Sequence, residues 1–438
     1  MSAHSFSSDA GIMPVAVRRN PWKEICAASI GNALEFYDLL IYGYFAVVMS
    51  KLFFPVVNET NSLLLSVGTF GISFVMRPLG AVILGSYADR AGRKASLTMS
   101  IAIMMAGTAM IVFAPTYSRI GIASPLIVLV ARMLQGFSTG GEFGAATAFM
   151  VEHADVERRG FFAGWQTSTQ GLATGFAAGV SALLSSILTE NQLSDWGWRI
   201  AFGVGLLVGP VGLYIRSQID ETPEFRKIAA VKLEKSPLSV VLLRDRMNLL
   251  LAIGLVAGVT AFNYVHKVYM VTYSLTQLHL PATASFIGAM VTGIVLTLMA
   301  PMFGALSDRY GRFRVMSIVL PIVGFSSYPL FLMLNIWPTV TTLIVVQALV
   351  GLLIAACLGP IPALLSDLFP TSTRGTGLAL SYNFSVTIFG GFAPLIVTWM
   401  IAATGSKMAP SFYVVATSII GVGAVLALGH RMVGRAAA

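Results

Sequence analysis

Two stretches of this chain are near copies: Gly85-Ser-Tyr-Ala-Asp89-Arg90-Ala-Gly92-Arg93-Lys94 and Gly304-Ala-Leu-Ser-Asp308-Arg309-Tyr-Gly311-Arg312-Phe-Arg314. Asp89 and Asp308 stand 219 positions apart, half of the 438 residues. Glu152, Arg159 and Gly160 are echoed by Asp367, Arg374 and Gly375, each at an offset of 215. Motifs that recur at half the chain length mean a doubled unit, so the fold has to be pseudo-symmetric.

The medium of that unit follows from what lies between the motifs. Apolar residues make up 56% of the chain and charged residues 11%, against roughly 25% charged in globular proteins. Apolar runs long enough to cross a bilayer fall at 25–49, 63–85, 97–113, 125–150, 161–188 and 200–215, and again at 247–275, 283–306, 315–334, 341–365, 376–403 and 411–429. The expected fold class is an all-α membrane protein with twelve transmembrane helices in two pseudo-symmetric six-helix bundles. Residues 1–21 lack the short apolar core and cleavage site of a targeting peptide, and none is expected.

Lys and Arg set the orientation. With both termini cytoplasmic, 21 of the 28 lie in inner segments and only Lys51, Arg119, Arg199 and Lys407 in outer ones, a bias that decides the topology. The net charge of +9 is therefore a topology signal, and no nucleic-acid partner is expected. The domains are a cytoplasmic tail (1–24), a first bundle (25–216), a cytoplasmic linker with Pro223 and Pro237 (217–246), a second bundle (247–430) and a short cytoplasmic tail (431–438). Cys26 and Cys357 lie in apolar spans and are read as buried thiols. With no metal-spaced His pair and no Ser-His-Asp set, no catalytic residue, metal or cofactor is expected, and the chain is not read as an enzyme.

The informative residues are charges where lipid should be. A central Asp, Lys or Arg costs roughly 2.5–3.5 kcal/mol on insertion scales, so each is expected to face a partner or a watery cavity. The first span holds Glu35, Asp38 and Tyr42 on one helical face, and the fourth holds Arg132, Gln135, Thr139 and Glu142 as a second polar stripe. Arg77 comes from the second span, and Asn263, His266 and Lys267 from the seventh. Three carboxylates against three cations and one imidazole make a near-neutral network and a candidate proton switch. Structural readings stand beside these: Arg77, before Pro78, can tie its helix to neighbouring carbonyls, and Glu142, beside Gly140 and Gly141, can serve packing. His266 points about 100° away from Lys267. An ammonium about 20 residues into a helix has few explanations other than function unless it snorkels outward.

The doubled Asp-Arg-x-Gly-Arg stretches are read as short cytoplasmic turns that close an inner gate. Asp89, Arg90, Arg93, Asp308, Arg309 and Arg312 would meet a helix end and Glu152, Arg159, Asp367 and Arg374.

With these residues in view the chain resembles the major facilitator transporters, and within them the metabolite:proton symporters, over nearly its whole length. The doubled stretch is the general mark. Narrower marks are Gly31-Asn32-Ala-Leu-Glu35-Phe-Tyr37-Asp38 with Tyr42-Gly43, Arg132-x-x-Gln135-Gly136-x-Ser138-x-Gly140-Gly141-Glu142, and Arg374-Gly375-x-Gly377 with Ser381-Tyr382-Asn383. Arg77-Pro78 and Trp196-Gly197-Trp198-Arg199 resemble the citrate-type branch most closely. The resemblance implies that Asp38 pairs with Arg132 and that Glu142 belongs to the coupling network with Glu35. His266-Lys267 departs from the neutral residues usual there and favours an anion.

The expectation is a proton-coupled symporter of a bacterial inner membrane, functional as a monomer, importing citrate or a related di- or tricarboxylate by alternating access. The alternative cargoes are a zwitterionic osmolyte or a monocarboxylate such as shikimate. Lys267, Arg132, Arg77, Tyr37, Trp165, Gln166, Gln170, Asn263, Tyr264, His266, Tyr382 and Asn383 are placed around the ligand.

Overall fold

Backbone in hydrocarbon has to satisfy its own N–H and C=O groups, so each apolar run can only be helical. The computed structural model describes residues 33, 35–91, 93–140, 156–217, 241–243, 245–370 and 373–436. Among these, twelve helical segments occur in the expected order. In the first half they are α1 (Glu35–Tyr44 and Ala46–Phe53, bent by 67°), α2 (Glu59–Ala91), α3 (Arg93–Phe113), α4 (Ala123–Gly140), α5 (Arg159–Ile187) and α6 (Trp198–Ser217). The second half has α7 (Arg246–Thr276), α8 (Ala282–Tyr310), α9 (Arg312–Ile336), α10 (Val340–Leu368), α11 (Arg374–Thr404) and α12 (Ala409–Ala436).

The repeated motif differs from its expected form. A turn of two to three residues was expected, but α8 runs through Asp308 to Tyr310 and α9 starts at Arg312, leaving Gly311 alone between them. Its φ of 90° and ψ of 123° suit only glycine. Asp308 thus sits in the last turn of a helix, where its direction is set by the helix.

Small residues bring helices within backbone contact. A Cβ at Gly136 or Gly140 of α4 would overlap the carbonyls of Ser73 or Arg77 on α2. Between the halves, Gly160, Gly164, Gly171 and Gly175 of α5 lie against Gly304, Ala300, Thr297 and Gly293 of α8. Ser168 donates to the Thr297 carbonyl at 2.6 Å, and the Ser185 and Thr283 hydroxyls are 3.0 Å apart at the other end of this seam. The α2–α11 contact is made by Thr387, which donates to the Phe74 carbonyl at 2.9 Å, and by Phe74 against Gly391.

Most spans carry large apolar side chains outward, among them Leu172, Phe325 and Ile419, as lipid-facing helices do. In α7, however, 83% of the apolar window is buried, against 39–50% in the other long spans, so α7 is a central helix. It widens into a π-helical segment at Tyr264–Tyr269, and α11 does the same at Val386–Gly391. The wide turns face each other: a Cβ on Gly390 would lie 2.8 Å from the Tyr264 ring. Such bulges re-aim side chains and concentrate at functional sites.

Candidate functional site

The α2–α4 contact positions the first cluster. Arg132, one turn before Gly136, is 1% exposed and lies 4.5 Å from the Tyr42 ring centre. Its Nη1 donates to Gln135 Oε1 at 2.7 Å and its Nη2 to Ser73 Oγ at 3.1 Å. Gln135 Nε2 in turn donates to Thr108 Oγ1 at 2.9 Å, and the Thr108 hydroxyl donates to Asp38 Oδ2. The expected Asp38–Arg132 pairing is therefore relayed rather than direct, because α3 inserts Thr108 between the charges. Thr108 was not anticipated. It is an isolated hydroxyl in an apolar run, with no polar neighbour at helical spacing to mark a face.

Arg77 and Glu35 join this cluster. Both line a small cavity with Asp38, Ser73, Arg132 and Thr139, and the Arg77 guanidinium stacks 4.1 Å above the Phe74 ring centre. Arg77 also lies within electrostatic reach of Tyr264 and Tyr382 in the second half, and Tyr382 is hydrogen-bonded to Gln170 of α5. Both bundles thus contribute to one buried polar region. Several buried polar atoms have no hydrogen-bond partner among the described residues: Gln170 Oε1, Asn263 Oδ1, Asn383 Nδ2 and Lys267 Nζ. Lys267 is 1% exposed, and its ammonium stands 5.7 Å over the ring of Phe36, on the helix that carries Glu35 and Asp38. Unpaired groups of this kind are costly when buried, and a polar ligand that reached them would satisfy them.

Other expected ligand residues are placed elsewhere. His266 is enclosed within the second half, its ring 4.2 Å from Phe262 and 5.1 Å from Phe331, with Nδ1 3.1 Å from the Phe262 carbonyl. Tyr37 spends its hydroxyl on the Ala201 carbonyl at 2.7 Å and ties α1 to α6. Trp165 packs edge-on against Phe161 at 6.3 Å, and Gln166 is buried in the same stretch of α5. Glu142 and Glu152 lie outside the described residues, and Asp89, Arg90 and Arg93 are described by backbone alone.

The gate residues of the second half are joined to the first. Asp308 accepts hydrogen bonds from the backbone N–H of Gly160 at 2.8 Å and of Phe161 at 2.9 Å, the opening residues of α5. A carboxylate on the positive end of a helix is favourable by charge and by hydrogen bonding together. Arg312 holds that carboxylate at 3.0 Å and Asp367 at 2.6 Å, and Arg374 Nε donates to the Ser366 carbonyl at 3.1 Å. The aspartate is thus the bridge from the second half to the first. At the sequence-related positions Gly85 and Gly375 a Cβ would meet nothing within 4 Å, so the equivalent approach of α2 to α11 is open.

Hydrogen bonds to a charged group are worth about 1.5–3 kcal/mol each. Losing two of them should shift the seam by at least about tenfold. With Cys26 and Cys357 replaced by alanine, maleimide should label a Ser307→Cys reporter at least about tenfold faster when Asp308→Ala is added. Equal rates would mean that this contact does not hold the halves together.

Comparison with known proteins places this geometry. Residues 39–336 and 268–436 match the Major Facilitator Superfamily. A citrate-proton symporter of Klebsiella pneumoniae is 33% identical over 93% of this chain and 91% of its own length. A proline/betaine transporter of Salmonella typhimurium is 34% identical over 91% of this chain and 82% of its own length. In fold, the chain is similar to the xylose transporter XylE from E. coli in a partially occluded inward open conformation, with a TM-score of 0.73 at 14% identity, covering 92% of this chain and 96% of that one. With a doubled six-helix architecture, charges buried between its halves and relatives that cover almost its full length, this chain belongs to the Major Facilitator Superfamily of membrane transporters.

Proposed function

We propose that the chain is a proton-coupled symporter that imports a small organic carboxylate, citrate or a related di- or tricarboxylate, across a bacterial inner membrane with both termini in the cytoplasm. The observation that carries this reading is Lys267: a buried ammonium between the halves with no hydrogen-bond partner among the described residues. A buried cation has to be compensated by an anion, and the cargo supplies it. Arg77 and Arg132 add positive potential, and Asn263, Asn383 and Gln170 offer the polar atoms that orient a carboxylate.

Asp38 carries the proton. While it is ionised, the Thr108–Gln135 relay links it to Arg132. Protonation releases that charge pairing, so the loaded carrier crosses with Asp38 neutral and the cargo anion neutralising Lys267. The halves then rock about the α5–α8 seam. The similarity to the Klebsiella citrate-proton symporter supports the cargo class.

An osmolyte is the second reading, favoured by an equal likeness to a proline/betaine transporter. Thermal unfolding of the purified chain with citrate, tricarballylate, α-ketoglutarate, shikimate or glycine betaine separates the two. A ligand at about 100 times its Kd adds roughly 2.7 kcal/mol of stability. A di- or tricarboxylate should raise the Tm, and a rise with glycine betaine alone would move the chain to the osmolyte class.

A further inference from the structure

The proton on Asp38 needs a way out, and the first half contains a feature that the substrate path does not use. A cavity of about 20 Å³, room for one water, lies between α1, α3 and α6, behind the face that meets the second half. Every described residue that lines it belongs to the first half. Asp38 borders it, and Asp38 Oδ1, unlike Oδ2, has no hydrogen-bond partner among the described residues although Asp38 is only 4% exposed. That oxygen lies where a Cβ on Gly205 would sit, so the glycine leaves room for it.

The cavity has a direction. On α1 its lining runs from Asp38 back to Glu35, on α3 from Thr108 back to Ile101, and on α6 from Gly205 on to Gly209. All three displacements lead to the same end of the bundle, where α3 begins at Arg93 and α6 ends at Ser217. In the proposed topology that end is cytoplasmic. Toward that end Met105 packs against Gly209, its Sδ 2.6 Å from where a Cβ on the glycine would be. A thioether is the adaptable side chain for a passage that has to open briefly.

We propose that this cavity holds a water through which Asp38 exchanges its proton with the cytoplasmic side, by a route inside the first half that is separate from the substrate path. The step is a simple transfer: the Asp38 Oδ1–H bond breaks, the water oxygen gains a third O–H bond, and Glu35 at the cytoplasmic edge of the cavity accepts the proton next. The carboxylate left behind keeps its hydrogen bond from Thr108. Among the described residues, the charged or titratable groups around Asp38 are Glu35, Tyr37 and Tyr42 on its own helix, Arg132 of α4 and Arg77 of α2. The described lining residues of α3 and α6 are uncharged, so this part of the route holds no fixed charge that would trap a proton.

This inference rests on Asp38 as the coupling acid, and its test keeps the two claims apart. The full chain in lipid nanodiscs, without substrate, is followed by infrared spectroscopy after a pH jump, and the protonated carboxyl band of Asp38 is assigned by its loss in Asp38→Asn. Gly209→Val fills the cavity one turn from Asp38 against a flexible side chain, and should slow the protonation of Asp38 at least about tenfold, a barrier increase of about 1.4 kcal/mol, with the same end point. Met105→Ala widens the same passage and should speed it; this variant also serves if Gly209→Val does not fold. Wild-type rates in whichever of these variants fold would overturn the route. A band that persists in Asp38→Asn would instead overturn Asp38 as the titrating group.

Discussion

The Asp38→Asn carrier is expected to equilibrate its cargo across a membrane without concentrating it. Asparagine keeps the shape of a protonated aspartate and can still accept the Thr108 hydrogen bond, so the relay to Gln135 and Arg132 persists without the charge. The variant therefore resembles the loaded form at every pH and never has to acquire or lose a proton to reorient. With one proton per cargo and a pH gradient of about 2 units, the wild type can draw on about 2.7 kcal/mol, enough for roughly hundredfold accumulation. In proteoliposomes the internal-to-external ratio should fall from that order to about 1, while exchange of labelled for unlabelled citrate continues. Accumulation at the wild-type level would remove Asp38 from the coupling step.

The second large effect is on binding. Lys267→Ala should weaken the best carboxylate by about 2–5 kcal/mol, the range seen when one partner of a buried charge pair is truncated. In equilibrium terms that is about 30-fold to several thousandfold. Lys267→Met, which keeps the length and removes the charge, should lose nearly as much. Lys267→Arg should rescue poorly, since a planar fork does not fit where a compact ammonium did. Isothermal titration at a single pH measures all three. Affinities equal to wild type would mean that the ammonium is compensated within the protein during transport, and the case for an anionic cargo would lose its main support.

Much of the architecture was legible because few solutions exist in lipid. Apolar runs had to be helices, and the motif repeated at half-chain distance had to mark equivalent places in two bundles. The site was legible where charge is expensive: Asp38, Arg132, Arg77 and Lys267 all stand out against apolar neighbours, and all are buried in the fold. What periodicity could not supply was the element between the charges. Thr108 comes from a third helix, and its contact with Asp38 depends on how close α3 comes to α1, which the sequence of neither helix states. His266 illustrates the reverse. Its residue type marked it as a candidate, but neighbours on a helix point about 100° apart, and here His266 turns into its own bundle while Lys267 turns toward α1. Asp308 stood out by its place in the repeated motif, while its partner, a pair of backbone N–H groups at a helix start, has no side-chain signature to find.

The glycine seam between α5 and α8 has a mechanical consequence. Interlocked side chains would act like gear teeth, and any swing of one bundle against the other would have to lift each knob out of its hole. Here the two surfaces are largely bare backbone from Gly160 to Gly175, so they meet as a journal meets its bearing. The contact stays close while the angle across it changes, and friction is low because few rotamers have to rearrange. A single added methyl at Gly164 or Gly171 would put a tooth on that surface. That methyl would meet α8 backbone, 2.7 Å from the Ala300 carbonyl at Gly164 or 2.6 Å from the Thr297 nitrogen at Gly171, so the seam would have to part to admit it, and the defect would be read in turnover and in stability.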